Sequence, residues 1–137
     1  MILLVDDDIR SLRPYCDELE YRGRKCRLVG SVDEAIRVLK HQARDIELLV
    51  FDMMMPSGKV FASKDLDGGL RTGEHFYREF RKMLPDAPAV LFTNRNVGQL
   101  DGPFRTDPRC ECRMKEDLLP SDFADRVEQL LAPGART

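Results

Sequence analysis

The 137-residue sequence has no run of apolar residues long enough to cross a bilayer, and nothing ahead of its first apolar segment at Ile2 reads as a signal peptide. A membrane span is excluded, and a cytoplasmic setting is expected. Positive charge is not in excess either. Twenty-two Lys and Arg against 24 Asp and Glu leave a formal net charge of −2, which lacks the basic face that nucleic acid demands. The one basic cluster, Arg22, Arg24, Lys25 and Arg27, reads as a solvated connection between a helix and a strand. Cysteine is sparse. Without a secretory signal its four residues are expected as reduced thiols, and Cys110 and Cys112 have no second metal-type pair near them, so they read as two residues on one face of a strand. Internal repeats, low-complexity tracts and linkers are absent too, so one domain is expected.

What is present is a hydrophobic fraction of 42% beside 34% charged residues, the balance of a soluble globular chain rather than a disordered one. Strand-like apolar runs cover Ile2–Val5, Cys26–Val29, Leu48–Phe51, Ala89–Phe92 and, more weakly, Cys110–Met114. Between them lie segments of helical period. Ile9, Leu12, Cys16 and Leu19 give a first helix its apolar stripe, although Pro14 removes a hydrogen bond inside it. Ser31 with Glu34 three residues on is a capping box that starts a second helix carrying Ala35 and Leu39 inward. Phe76, Phe80 and Met83 mark a third helix, stopped by Pro85; Phe123, Val127 and Leu130 mark the last, with Gly134 beyond it. Residues 57–70 have no sustained period and read as a long loop, which shields a neighbouring site or docks a partner. Residues 96–109 should hold a fourth helix, but two glycines and two prolines make it short or irregular. Strands alternating with helices in this way predict an α/β fold: a parallel sheet covered on both faces.

Ligands of such sheets bind beyond the carboxyl ends of the strands. The first strand ends there in Asp6, Asp7 and Asp8, the third in Asp52, the fourth in Thr93 and the fifth in Lys115. Crowded carboxylates repel one another and gain proton affinity unless a positive charge compensates. A hard divalent cation does so, and Mg²⁺ favours a few carboxylate oxygens with waters and phosphate oxygens. A carboxylate beside that metal can attack a phosphoryl group to give an aspartyl phosphate, with the hydroxyl and the ammonium stabilising the equatorial oxygens. Met53, Met54 and Met55 could suggest a soft-metal site, but they read as packing residues.

The set "LLVDDD", "LLVFDMMMP", "LFTN" and "RMKED" resembles the receiver domain of bacterial two-component response regulators, over nearly the whole chain from Ile2 to about Leu131. The resemblance implies a flavodoxin-like, doubly wound sheet of five strands in the order 2-1-3-4-5 with five helices, here a domain over residues 1–132 with a short tail, 133–137. It implies Asp52 as phosphoacceptor, Asp7 as direct Mg²⁺ ligand, Asp6 as its partner through water, and the carbonyl of Met54 as a third ligand. Thr93 corresponds to the hydroxyl that moves towards the phosphoryl group, Lys115 to the residue that pairs with it, and Asp8 to a helix starter. A histidine kinase or phosphotransfer protein would be the donor, and output would pass through protein contacts, with no enzymatic turnover beyond slow self-dephosphorylation. The chain departs from the family at three positions. Glu116 replaces the usual proline after the lysine, so a trans bond is expected. Cys112 replaces the usual aromatic residue, and Asn94 follows the threonine where a very small residue is usual. Two other readings are open: a receiver-like interaction module that no longer cycles phosphate, and a phosphatase of the haloacid-dehalogenase type with Asp6 as nucleophile and Asp8 as general acid.

Overall fold

In the computed structural model, which describes residues 1–64 and 67–134, five short strands form one parallel sheet in the order β2-β1-β3-β4-β5. The strands are β1 (Ile2–Val5), β2 (Cys26–Val29), β3 (Leu48–Phe51), β4 (Ala89–Thr93) and β5 (Cys110–Met114). Four α-helices accompany them: α1 (Ile9–Tyr21), α2 (Val32–Gln42), α3 (Thr72–Met83) and α4 (Pro120–Leu131). This is the flavodoxin-like, doubly wound arrangement. None of the helices among the described residues is long and apolar enough to cross a membrane.

Residue parity along each strand decides which face it feeds, because successive side chains point to opposite sides. Leu3, Val5, Leu49, Phe51, Ala89 and Leu91 join Val32, Ala35 and Leu39 of α2 and Phe76, Tyr77 and Phe80 of α3 in one buried cluster. Ile2, Leu4, Leu48, Val50, Val90 and Phe92 join Leu12 and Leu19 of α1 and Phe123, Ala124 and Val127 of α4 in the other. Both faces of the central strands are buried, which is why they read as continuous apolar runs.

The capping signals act where the sequence places them. Asp8 caps α1, accepting from Ser11 N at 3.3 Å, and Ser31 caps α2, accepting from Glu34 N at 3.2 Å. Pro14 lies within α1 on its exposed side, so the carbonyl it leaves without a helical donor belongs to exposed Arg10. All peptide bonds among the described residues are trans, that between Lys115 and Glu116 included, as expected.

Three expectations need correction. The described residues hold four α-helices, not the five that the resemblance implies; the short or irregular helix expected over 96–109 is two single 3₁₀ turns, Val97–Gln99 and Pro103–Arg105. Asn96 supplies the local reason, since its side chain accepts from Gly98 N at 2.9 Å and closes a turn that competes with a helix. Phe104 from the second turn is fully buried and fills the space over β4 and β5. The α3 stripe is also different. Phe76 and Phe80 are buried, but Met83 is exposed and Tyr77 is buried instead, its hydroxyl donating to Asp107, which also accepts from Arg81 Nε at 2.9 Å. Lastly, the basic connection between α1 and β2 is not merely solvated. Arg22 Nη1 donates to Asp125 at 2.7 Å, and Arg24 holds Glu128 with two bonds of 2.9 and 2.6 Å, so both tie that connection to α4. Lys25 and Arg27 remain exposed. All four cysteines are free thiols, and Cys110 and Cys112 share the face of β5 that meets the first cluster.

Candidate functional site

The strand register brings the polar residues together. Val5 lies opposite Phe51, so Asp6 and Asp52 leave two adjacent strands at the same level. Thr93 lies opposite Met114, so Lys115 leaves β5 one step beyond it. The result is a cleft of about 220 Å³ lined by Asp6, Asp7, Asp8, Asp52, Met54, Thr93, Asn94, Arg95 and Lys115. Every site residue named from the sequence is in that lining. Arg95 was not foreseen, because an arginine in the turn after a strand carries no signal of its own.

Burial sorts the carboxylates. Asp6 is 2% exposed and Asp52 9%, whereas Asp7 and Asp8 stand open to solvent at the mouth. Lys115, itself 7% exposed, reaches between the two buried acids: its Nζ donates to Asp6 Oδ2 at 2.6 Å and to Asp52 Oδ2 at 3.4 Å. The other oxygens are also engaged. Asp6 Oδ1 accepts from Asp8 N at 2.8 Å, and Asp52 Oδ1 accepts from Met53 N at 2.7 Å. Thr93 is fully buried, and its Oγ1 accepts from Arg95 N at 3.2 Å, which leaves the hydroxyl proton free to be donated elsewhere.

Burial pushes the Asp6 carboxyl above its ordinary value, against the pull of the Lys115 bond. Burial also works against the Lys115 ammonium, but the bond to Asp6 and the nearby charge of Asp52 outweigh it, and the net shift is upward. The proton therefore stays on the lysine, and one ammonium faces two buried carboxylates. Three carboxyl groups, Asp6, Asp7 and Asp52, thus share the cleft with the Lys115 ammonium, a set that a further cation would complement.

Hard oxygens make up the available donors: the carboxylates of Asp6, Asp7 and Asp52 and the main-chain carbonyl of exposed Met54. That set suits Mg²⁺, which holds few protein ligands and keeps several waters. Among the described residues no three carboxylate, imidazole or thiol groups are drawn in to metal spacing, and Lys115 Nζ lies within 2.6 Å of Asp6 and 3.4 Å of Asp52.

A glycine that sequence reasoning missed sets the position of Asp52. Gly73, in the first turn of α3, donates its N–H to Met53 O at 2.9 Å, and a β-carbon built on it would lie 1.7 Å from Asp52 O. The helix start is thus pressed directly against the strand end that carries Asp52. A glycine inside a helix costs about 1 kcal/mol relative to alanine, and that cost was the available signal that a backbone passes close by. The loop after β3 is held from other elements. Asp33 at the start of α2 accepts from Lys59 N at 3.0 Å and Val60 N at 2.8 Å, and Phe61 packs edge-on against His75 of α3, with ring centres 4.4 Å apart. Residues 57–64 and 68–70 do not line the cleft; 65 and 66 lie outside the described residues.

No protein-family model matches the chain, and no curated protein matches it. Solved structures do. The receiver domain of NtrX from Brucella abortus superposes with a TM-score of 0.73 at 18% identity, covering 96% of this chain and 98% of that one. A response regulator receiver domain protein from Clostridium thermocellum gives 0.71 at 18% identity, over 95% and 92% of the two chains. A CheY-like receiver domain protein from Methanospirillum hungatei gives 0.72 at 18%, over 95% and 91%. At these identities the likeness is one of fold, and it extends over almost the whole chain: this is a receiver-type fold.

Proposed function

We propose that this chain is a receiver domain that takes a phosphoryl group onto Asp52 from a histidine kinase or a phosphotransfer protein. The observation that carries the reading is the convergence of Asp52, Asp6, Thr93 and Lys115 at the carboxyl edge of one sheet, with the lysine spanning the two buried acids. In the transfer, a carboxylate oxygen of Asp52 attacks phosphorus as the bond to the donor's imidazole nitrogen breaks. The imidazole leaves with the electron pair and takes a proton from solvent. Three equatorial oxygens carry the transferred charge. The Lys115 ammonium, 3.4 Å from Asp52 Oδ2, is already placed to turn towards them, and the Thr93 hydroxyl can donate to another. Asp6, Asp7, Asp52 and the Met54 carbonyl would hold Mg²⁺, which when bound would neutralise charge on the attacked phosphoryl group. The reaction is a single acceptance of the group, not turnover of a small substrate.

The phosphatase alternative is less well supported. It needs Asp8 free as a general acid, but Asp8 caps α1. The interaction-module alternative draws on Cys112 and on the two 3₁₀ turns between β4 and β5, which bear on readout rather than on the acceptor. Downstream signalling would therefore run through protein contacts of a form suited to that altered face. Intact mass after incubation with acetyl phosphate tests the reading. Wild type is expected to gain one phosphoryl group only when Mg²⁺ is present, and Asp52→Asn to gain none. Equal labelling of both proteins would overturn it.

A further inference from the structure

Between β5 and α4 the chain makes a single 3₁₀ turn, Lys115–Asp117, and this turn carries the only ammonium that the described residues send to both buried carboxylates. Its own closing bond is long, Leu118 N to Lys115 O at 3.5 Å, and no side chain caps it. A single turn so weakly closed does not by itself fix where a long, flexible side chain begins. The strong tie comes from the far end of the sequence. Tyr15 of α1 donates its hydroxyl to Leu118 O at 2.6 Å, with Lys115 O a second, longer acceptor at 3.3 Å. Burial pushes the Tyr15 phenol up, so it keeps the proton it donates. The ring is fixed in turn, packed edge-on against Phe92 with centres 5.1 Å apart and against Phe123 at 5.4 Å. Phe92 directly precedes Thr93 in β4, and Phe123 lies in α4, so the ring is locked between two elements that border the turn.

We infer that Tyr15 is a positioning residue for Lys115: its hydroxyl clamps the 115–118 turn so that the lysine enters the cleft at the height needed to span Asp6 and Asp52. Tyr15 touches neither the acceptor nor the phosphoryl group, and acts through the main chain of the lysine. The rate arm of the test rests on the phosphoacceptor reading given above; the spectroscopic arm does not.

The test is Tyr15→Phe, which removes the hydroxyl and keeps the ring in its aromatic contacts. Loss of one such bond is expected to slow Mg²⁺-dependent labelling by acetyl phosphate about three- to tenfold. The urea transition should stay cooperative, with its midpoint lowered by no more than the loss of one hydrogen bond, which shows that the variant is folded. The readout that a merely structural role would not move is the ¹⁵Nζ–H signal of Lys115, protected in wild type by the buried ion pair and expected to broaden or vanish in Tyr15→Phe. An unchanged Nζ signal, or wild-type labelling by the variant, overturns the inference. If wild type itself takes no label, the phosphoacceptor reading fails, and the Nζ signal alone decides the role of Tyr15.

Discussion

Replacing Lys115 by methionine is expected to reduce labelling of Asp52 by a hundredfold or more, and to destabilise the fold at the same time. The first effect follows from removing the ammonium that meets Asp52, the proposed acceptor, since deleting a preorganised donor to a developing oxyanion typically costs a factor of about 10² to 10³. The second follows from burial. Asp6 and Asp52 are 2% and 9% exposed, and without the lysine both lose the ion pair that the described residues give them. Breaking a buried pair by deleting one partner costs about 3–5 kcal/mol. Mg²⁺ should restore part of this, because a ligand at a hundred times its dissociation constant stabilises by about 2.7 kcal/mol. Urea denaturation with and without Mg²⁺ measures both effects. The variant should be less stable than wild type in the absence of metal and gain more from its addition. Wild-type stability without metal, with unchanged labelling, would mean that the lysine does not hold the two acids.

The second large effect is expected from Gly73→Ala. Alanine is the better helix former by about 1 kcal/mol, so a site governed by helix propensity would be stabilised. Here the added methyl would sit 1.7 Å from Asp52 O and 2.7 Å from Met53 Cα. Both are main-chain atoms with no rotamer to yield, so the strand end or the helix must shift. Overpacking of this kind costs about 3 kcal/mol, which outweighs the propensity gain. The shift falls on Asp52, the proposed acceptor, and a displacement of about 1 Å costs a reacting group roughly a hundredfold in rate. Thermal unfolding and the labelling rate should therefore fall together. A variant more stable than wild type would show that α3 and β3 are not in contact through this glycine.

The features that were legible in the sequence were local. β1, β3 and the first four residues of β4 are apolar runs, and Asp6, Asp52 and Thr93 are each the first polar group after one; β2 and β5, which carry Arg27 and Glu111 with Arg113, are legible more weakly. Once a parallel sheet is assumed, Asp6, Asp52, Thr93 and Lys115 must gather at one edge. The helix starts at Asp8 and Ser31 were legible for the same reason, because a cap acts on its own first turn. What was not legible depends on residues far apart in the chain. Tyr15 reads as one more residue of an amphipathic helix until Leu118, 103 positions on, is seen to accept its hydroxyl. Arg22 and Arg24 read as a solvated patch until α4 brings Asp125 and Glu128 beside them. Met83 continues the right face of α3 but lies in the last turn, beyond the reach of the cluster that buries Phe76 and Phe80. A stripe indicates direction, not how far the neighbouring layer extends. The missing fourth helix lies between these cases. Its glycines and prolines announced trouble, but only the structure shows that Phe104 takes over the covering role.

The most direct measurement is the location of the phosphoryl group itself. Acyl phosphates are reduced by borohydride, so labelling wild type with acetyl phosphate and Mg²⁺, reducing, and sequencing the peptides by mass spectrometry reports the acceptor residue. The account predicts homoserine in place of aspartate at position 52 and at no other aspartate. Homoserine at position 6 or 7 with position 52 unmodified would contradict it.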